Sequence, residues 1–309
     1  MPRIYDISLK LSTDLTFEEC SESKYDIDVM SWTSEFNPYV GKIQWYHQWK
    51  DPNDFLWLLA GHYDDKYFLR FNSVDFLVSF HVSQIYYRTL DNHTKIRTVR
   101  HILFNQVIPM VLNHRGIEVL HASSVLISNE AVVFVGNGGY GKSTLAASLM
   151  KQDYPLISDD AVPLLLEDNK VGTASGPPEI NLWIRAIQLL NIDSQNDFSN
   201  RKQLVTLSKE HHCAGKFPIK CIYFLRPSSE TQEIKLIPIS EQEVLIELIR
   251  AAHRLDITDK KMLQRQFNTL RQVAKLIPSK TLYYPASIPE PLELSSVVLS
   301  DIKTPIYAI

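Results

Sequence analysis

Apolar and polar positions in the first third of the chain follow the two-residue period of strands. "DKYFLRF" and "VDFLVSFHVSQIYYRTL" are aromatic and β-branched, alternate in part, and are separated by the Asn72-Ser73 break. Residues 1–94 therefore read as a β-rich domain. Trp32, Trp45, Trp49 and Trp57 fall in it and are expected to pack in its core, the competing use being an aromatic platform for a ligand. The period then lengthens. Ile96, Val99, Ile102, Leu103, Val107, Met110 and Val111 recur at helical spacing, which predicts a helix over roughly 95–113. Pro109 is the place for a bend in it, and it leads into a second domain, 95–309.

In that second domain "IEVLHASSVLI" and "AVVFVG" are apolar runs joined across Ser128-Asn129-Glu130, the pattern of an antiparallel hairpin. "YPLISDDAVPLL" reads as a further strand, and "IKCIYFLRP" and "EIKLIPIS" as two more. Between them "TASGPPEINLW" reads as a loop, because Gly172, Gly176, Pro177 and Pro178 oppose regular structure. From Ser240, "EQEVLIELIRAAH" has helical period and an acidic start, and "KMLQRQFNTLRQVAKLI" is a second helix stopping at Pro278. The end of the chain reads as strand, proline-rich loop and short helix. The pattern as a whole is α/β, a mixed-sheet domain preceded by a β-rich α+β domain.

Composition narrows the function classes. The 309 residues are 45% hydrophobic and 22% charged, as in an ordinary globular chain. A formal net charge of −3 and the lack of a basic run speak against nucleic acid as a partner. No apolar stretch is long enough to span a bilayer, and "MPRIYDISLKL" lacks the apolar core of a signal peptide, so no membrane partner is expected. Cys20, Cys213 and Cys221 are scattered with no C-x-x-C, which suits a reducing compartment; a cytoplasmic protein is the expectation.

One stretch carries strong chemistry. "VFVGNGGYGKSTLAASLM" matches G-x-x-x-x-G-K-[ST], a glycine-rich turn between a strand and a helix. Gly136, Asn137, Gly138, Gly139, Tyr140, Gly141, Lys142, Ser143 and Thr144 would cradle the phosphates of ATP with backbone amides at a helix N-terminus. Lys142 would reach the β- and γ-phosphates, and the Ser143 hydroxyl would help hold Mg²⁺. The chain has no N-K-x-D to read guanine and no L-S-G-G-Q of a transporter ATPase. His121 ends one hairpin arm, Lys142-Ser143 follows the other, and Asp159-Asp160 end the next strand. If those strands are neighbours, one carboxylate can hold Mg²⁺ with Ser143 while the other takes a proton from an incoming hydroxyl. The plainer alternatives are a turn-forming aspartate pair and a structural histidine.

"LHASSV", "GNGGYGKST" and "LISDDAV", in that order, resemble the HPr kinase/phosphorylase-like proteins, whose fold is related to that of phosphoenolpyruvate carboxykinase. The resemblance covers roughly residues 99–309 and extends to "PPEINLW", "NRKQLVTL", "IKCIYFL" and the helices after "LIPISEQEVLIELIR". It implies a kinase acting on a serine of a peptide or protein, with His121 and Asp159 handling the proton and Asp160 supporting Mg²⁺ and phosphates, or with the two aspartates in exchanged roles. It implies Glu179 as a metal-shell residue, with Asn181 standing where the family's E-I-R segment has Arg. The chain looks closer to divergent relatives often found beside peptide natural-product genes, some of which, the lasso-peptide precursor kinases, phosphorylate a serine on a ribosomal peptide.

Other features are weaker. Arg201-Lys202 reads as a phosphate or substrate clamp or as an exposed basic pair. Trp183 is expected in the core, the alternative being that it closes over the site with Arg185. His211-His212-Cys213 has no partner at zinc spacing. The helix bearing Ile246, Leu248 and Ile249 reads as core or as a subunit contact of a homo-oligomer.

Overall fold

The computed structural model describes residues 3–12, 15, 26–32, 42–50, 54–193, 202–230, 232–254, 256–286 and 291–303. The chain forms two compact units, Met1–Gly116 with Arg254–Arg265, and Ile117–His253 with Gln266–Ile309. None of the described helices is long and apolar enough to cross a membrane.

The first unit runs past residue 94 and takes in the helical segment, which the sequence pattern had assigned to the second domain. Packing explains this. Val99, Leu103, Phe104, Val107 and Ile108 are buried, and the Tyr5 hydroxyl donates to the Phe104 carbonyl at 3.2 Å. The helix is not continuous either: α1 (Ile96–Ile102) and α2 (Ile108–His114) flank a π-helical turn at Leu103–Val107. Pro109 has no N–H to donate to the carbonyl four residues back, so the ladder widens ahead of it.

The strands of this unit are β1 (Leu9–Leu11), β2 (Ile27–Ser31), β3 (Gln44–Lys50), β4 (Leu56–Tyr63), β5 (Lys66–Phe71), β6 (Val74–Ser79) and β7 (Gln84–Thr89). They form one sheet in the order β1-β2-β7-β6-β5-β4-β3. Its tryptophans are partly buried at most, Trp32 packing against the core of Ile43, Phe68 and Leu77. Trp45 is 38% exposed, and Trp32 and Trp45 lie edge-on to the fully buried Phe68.

The second unit contains β8 (Glu118–Leu120), β9 (Ala122–Ile127), β10 (Glu130–Val135), α3 (Lys142–Met150), β11 (Leu156–Ser158), β12 (Val162–Glu167) and β13 (Lys170–Ala174). It continues with β14 (Glu179–Trp183), α4 (Ile184–Leu189), β15 (Lys202–Thr206), β16 (Lys216–Ser228), β17 (Lys235–Pro238) and α5 (Glu241–Ala251). The later part of α6 (Lys260–Leu276), then β18 (Ser279–Pro285) and α7 (Pro291–Lys303), complete it.

Its main sheet runs β11-β9-β10-β16-β13-β12-β8, with β18 on β16 and β17 on β18. β9 and β10 form the expected antiparallel hairpin, while β10 pairs β16 in parallel. The centre is apolar on both faces, as a sheet covered on both sides must be. In β10, Val132 and Phe134 face the core built with α3, α4 and α7, and Ala131, Val133 and Val135 face the core built with α5 and α6. α5 starts at Ser240 with a capping box closed by Glu243.

"EINLW" is a strand rather than a loop. Ile180 and Leu182 are buried, and alternate with Glu179, Asn181 and Trp183. It pairs β15 antiparallel as a separate two-stranded sheet, and the prolines only delimit it.

Candidate phosphate-binding site

The register of the main sheet brings the motifs to one place. Val135, the last residue of β10, pairs with Ala122, the first of β9, so His121 stands beside the start of the glycine turn. β11 runs antiparallel to β9 with Ser158 opposite Ser124, which puts Asp159 at the same end of the sheet. His121, Gly138, Gly139, Gly141, Lys142, Ser143, Thr144 and Asp160 all line one pocket, joined by Asn181, Trp183 and Lys202.

The turn owes its shape to its glycines. A Cβ on Gly136 would come within 3.2 Å of the Leu225 carbonyl oxygen, a tight contact where the chain leaves β10. Gly139 and Gly141 have φ of +84° and +83°, which side-chain-bearing residues adopt at a cost. Gly141 is the N-cap of α3 and offers no side chain to the first amides of that helix, which helical geometry leaves without partners. Asn137 and Tyr140 brace the turn through the Tyr140 N–H to Asn137 carbonyl bond at 3.2 Å and the Asn137 side-chain amide to the Tyr140 hydroxyl at 3.3 Å.

Lys142 is nearly buried, and its ammonium donates to the carbonyls of Gly136 at 2.8 Å and Asn137 at 3.3 Å. Burial lowers its pKa to about 8, and Lys202 pushes the same way against the two aspartates.

The neighbouring aspartates differ. Asp159 accepts from the Ser123 hydroxyl at 2.5 Å and the Asn181 N–H at 3.0 Å, and the nearby Ser143 hydroxyl favours its charged form as well. Burial and the charge of Asp160 nevertheless push its carboxyl up to about 6. Asp160 has a left-handed backbone, φ 63°, and lines the pocket, as Asp159 does not.

His121 Nδ1 lies 3.1 Å from the Asp160 carbonyl. A carbonyl only accepts, so Nδ1 carries the hydrogen and Nε2 is the basic nitrogen of the neutral ring. Burial and Lys142 both hold the His121 pKa below its usual value, which keeps the ring neutral at pH 7.

Glu179 sits one strand step outward from Asn181 on the same face of β14 and does not line the pocket. Trp183, expected in the core, is 48% exposed at the pocket edge. Arg185, on α4, does not line the pocket, and Arg201 and Cys20 lie outside the described residues. His212 donates through Nε2 to the Gly176 carbonyl, and the Cys213 thiol donates to that of Leu156, so both tie down the segment between β15 and β16. Ser123 and Asn181 were not singled out as site residues from the sequence. Their signal was position: Ser123 is two residues after His121, and Asn181 is two after Glu179.

Among the described residues no three His, Cys, Asp or Glu side chains cluster as a metal cage. Magnesium requires none, since one or two protein oxygens suffice beside phosphate and water. The Ser143 hydroxyl and the adjacent carboxylates are hard oxygens of that kind, so the residues fit the ion.

No protein-family model matches the sequence, and no curated protein matches it. Among solved structures, the HPr(Ser) kinase/phosphatase from Coxiella burnetii aligns with a TM-score of 0.34 and 13% identity, over 60% of this chain and 95% of that one. A TM-score that low does not define a shared fold.

Proposed function

We propose that the chain is an ATP- and Mg²⁺-dependent phosphotransferase that moves the γ-phosphoryl group to a hydroxyl, most specifically to a serine of a peptide or protein. The observation that carries this reading is the gathering of Lys142, an uncapped helix N-terminus, His121 and Asp160 around one pocket, with Asp159 directly behind Ser143. A binding loop alone has no use for a neutral histidine and a second carboxylate; proton removal from an acceptor has.

The roles follow from placement. Lys142 exchanges the Gly136 and Asn137 carbonyls for phosphate oxygens. Bound Mg²⁺ would neutralise phosphate charge, with Ser143 and Asp159 as its protein oxygens. Asp160 takes the acceptor proton, assisted by the basic nitrogen of His121. Of the two divisions the resemblance allows, this is the exchanged one, because Ser123 and Asn181 already engage Asp159 while Asp160 lines the pocket.

The test is transfer of γ-labelled phosphate, with Mg²⁺, to a panel of serine peptides and hydroxylated metabolites. Lys142→Ala should abolish transfer. Asp160→Asn should keep Mg²⁺-ATP affinity and lose about 10²- to 10⁴-fold in rate. A parent protein that binds ATP but transfers to no acceptor, water included, would make the chain a nucleotide-binding scaffold. Full activity in Asp160→Asn with loss in Asp159→Asn restores the first division of roles.

A further inference from the structure

The two-stranded β14–β15 sheet beside the pocket is not used by the roles above. Its inner face packs Ile180, Leu182 and Val205 into the core. Its other face carries Asn181 and Trp183, and Lys202 is the strand partner of Trp183. The Lys202 ammonium lies 5.9 Å from the Trp183 ring centroid, within cation–π range.

Among the described residues Lys202 has no carboxylate partner in an ion pair. It shares the pocket lining with Lys142, and among the described residues Asp160 is the one carboxylate in that lining. Two ammonium groups and a positive helix end around one small pocket repel each other until an anion lies between them. Lys202, Lys142 and His121 all line that one pocket. Trp183 explains why the lysine stays: an indole half exposed to water offers its face to the cation on the adjacent strand.

We infer that Lys202 is a second phosphate-binding lysine that contacts the transferred phosphoryl group from the β15 side of the pocket, and that Trp183 positions it. This rests on the phosphoryl-transfer reading and adds a catalytic residue to it. Charge spreads over the equatorial oxygens of a phosphoryl group in flight, and a cation placed there acts mainly on the transition state. Such a contact should therefore spare binding of the diphosphate.

Calorimetry with Mg²⁺ separates these cases, using ADP alone and ADP with aluminium fluoride, a mimic of the phosphoryl group in transit. Lys202→Met should weaken the aluminium fluoride complex about 10- to 100-fold and leave ADP affinity within about twofold. Lys202→Arg should restore most of the loss. Trp183→Leu should fall between parent and Lys202→Met, again with ADP binding unchanged. Lys202→Met indistinguishable from the parent, or weakened equally for ADP alone, overturns the assignment while the kinase reading stands. Loss of ADP affinity in Trp183→Leu overturns its positioning role in favour of stacking on the nucleobase. A parent protein that does not bind ADP at all overturns the nucleotide reading itself, and Lys202's role with it.

Discussion

Asp159→Asn should remove function and make the unliganded protein more stable. Asp159 is 4% exposed, and its carboxyl is pushed from 3.8 to about 6 because burial and Asp160 outweigh the hydrogen bonds from Ser123 and Asn181 and the nearby Ser143 hydroxyl. A carboxyl whose folded pKa lies above its unfolded pKa binds its proton more tightly in the folded chain. The stability it contributes is whole below about pH 4 and is lost as pH rises through about 6. A shift of roughly two units at about 1.4 kcal/mol each makes the cost near 3 kcal/mol at neutral pH. Asparagine has no charge to bury. Its carbonyl can keep the Asn181 N–H, and its amide can donate to the Ser123 hydroxyl.

With divalent cations chelated, Asp159→Asn should therefore exceed the parent by roughly 1–3 kcal/mol at pH 7.5, the range allowing for imperfect replacement of hydrogen bonds. At pH 4 the two should coincide. Urea unfolding followed by far-ultraviolet circular dichroism at the two pH values measures the difference, and the first unit, unchanged between the proteins, cancels. Mg²⁺-ATP at about a hundred times its Kd adds about 2.7 kcal/mol to the parent, enough to offset the gap. The variant, lacking a cation ligand, should gain less. An Asp159→Asn protein no more stable than the parent at pH 7.5, or an advantage that persists at pH 4, refutes the reasoning.

Two further outcomes follow from particular residues. Lys142 titrates at about 8, so phosphate arriving beside it at pH 8 should draw in roughly half a proton. Calorimetry of ATP binding in buffers of different ionisation enthalpy measures that uptake; Lys142→Arg should bind without it, and no uptake by the parent refutes the burial of Lys142. In the β9–β10 hairpin, Ser128 and Asn129 have φ of 52° and 64°, the signs of a type I′ turn. Ser128→Asn with Asn129→Gly should add about 1 kcal/mol to stability in urea melts, and a loss would mean the turn is of another type.

Much of the second unit was legible because its central strands announce themselves. "AVVFV" and "CIYFL" are apolar without alternation, which a strand buried on both faces requires. The glycine turn carries its mechanism in its spacing. "EINLW" was hidden by its neighbours: Pro177 and Pro178 suggested a loop, although Ile180 and Leu182 already alternated with Glu179, Asn181 and Trp183. The return of Arg254–Arg265 to the first unit has no compositional mark, since what holds it is contact. Asp256 lies there, at 4% exposure, with an oxygen 3.1 Å from His62 Nε2, 194 positions away.

The roles of the two aspartates show where a sequence stops informing. "DD" at a strand end fixes that two carboxylates arrive together, and extended backbone would send them to opposite faces. Neither face is named by the letters. Here Asp160 takes a left-handed backbone, and the Ser158 hydroxyl donates across the bend to the Ala161 carbonyl, which turns the chain sharply between β11 and β12. The bend leaves Asp159 against Ser123, Asn181 and Ser143, and leaves Asp160 in the pocket. A left-handed residue is tolerable for aspartate and costly for most others, so the conformation that separates the two carboxylates also restricts what can stand at 160. The sorting of one carboxylate behind the serine and one into the pocket thus arises in the backbone of a single residue, with β9 and β14 supplying the hydroxyl and the amide that hold Asp159.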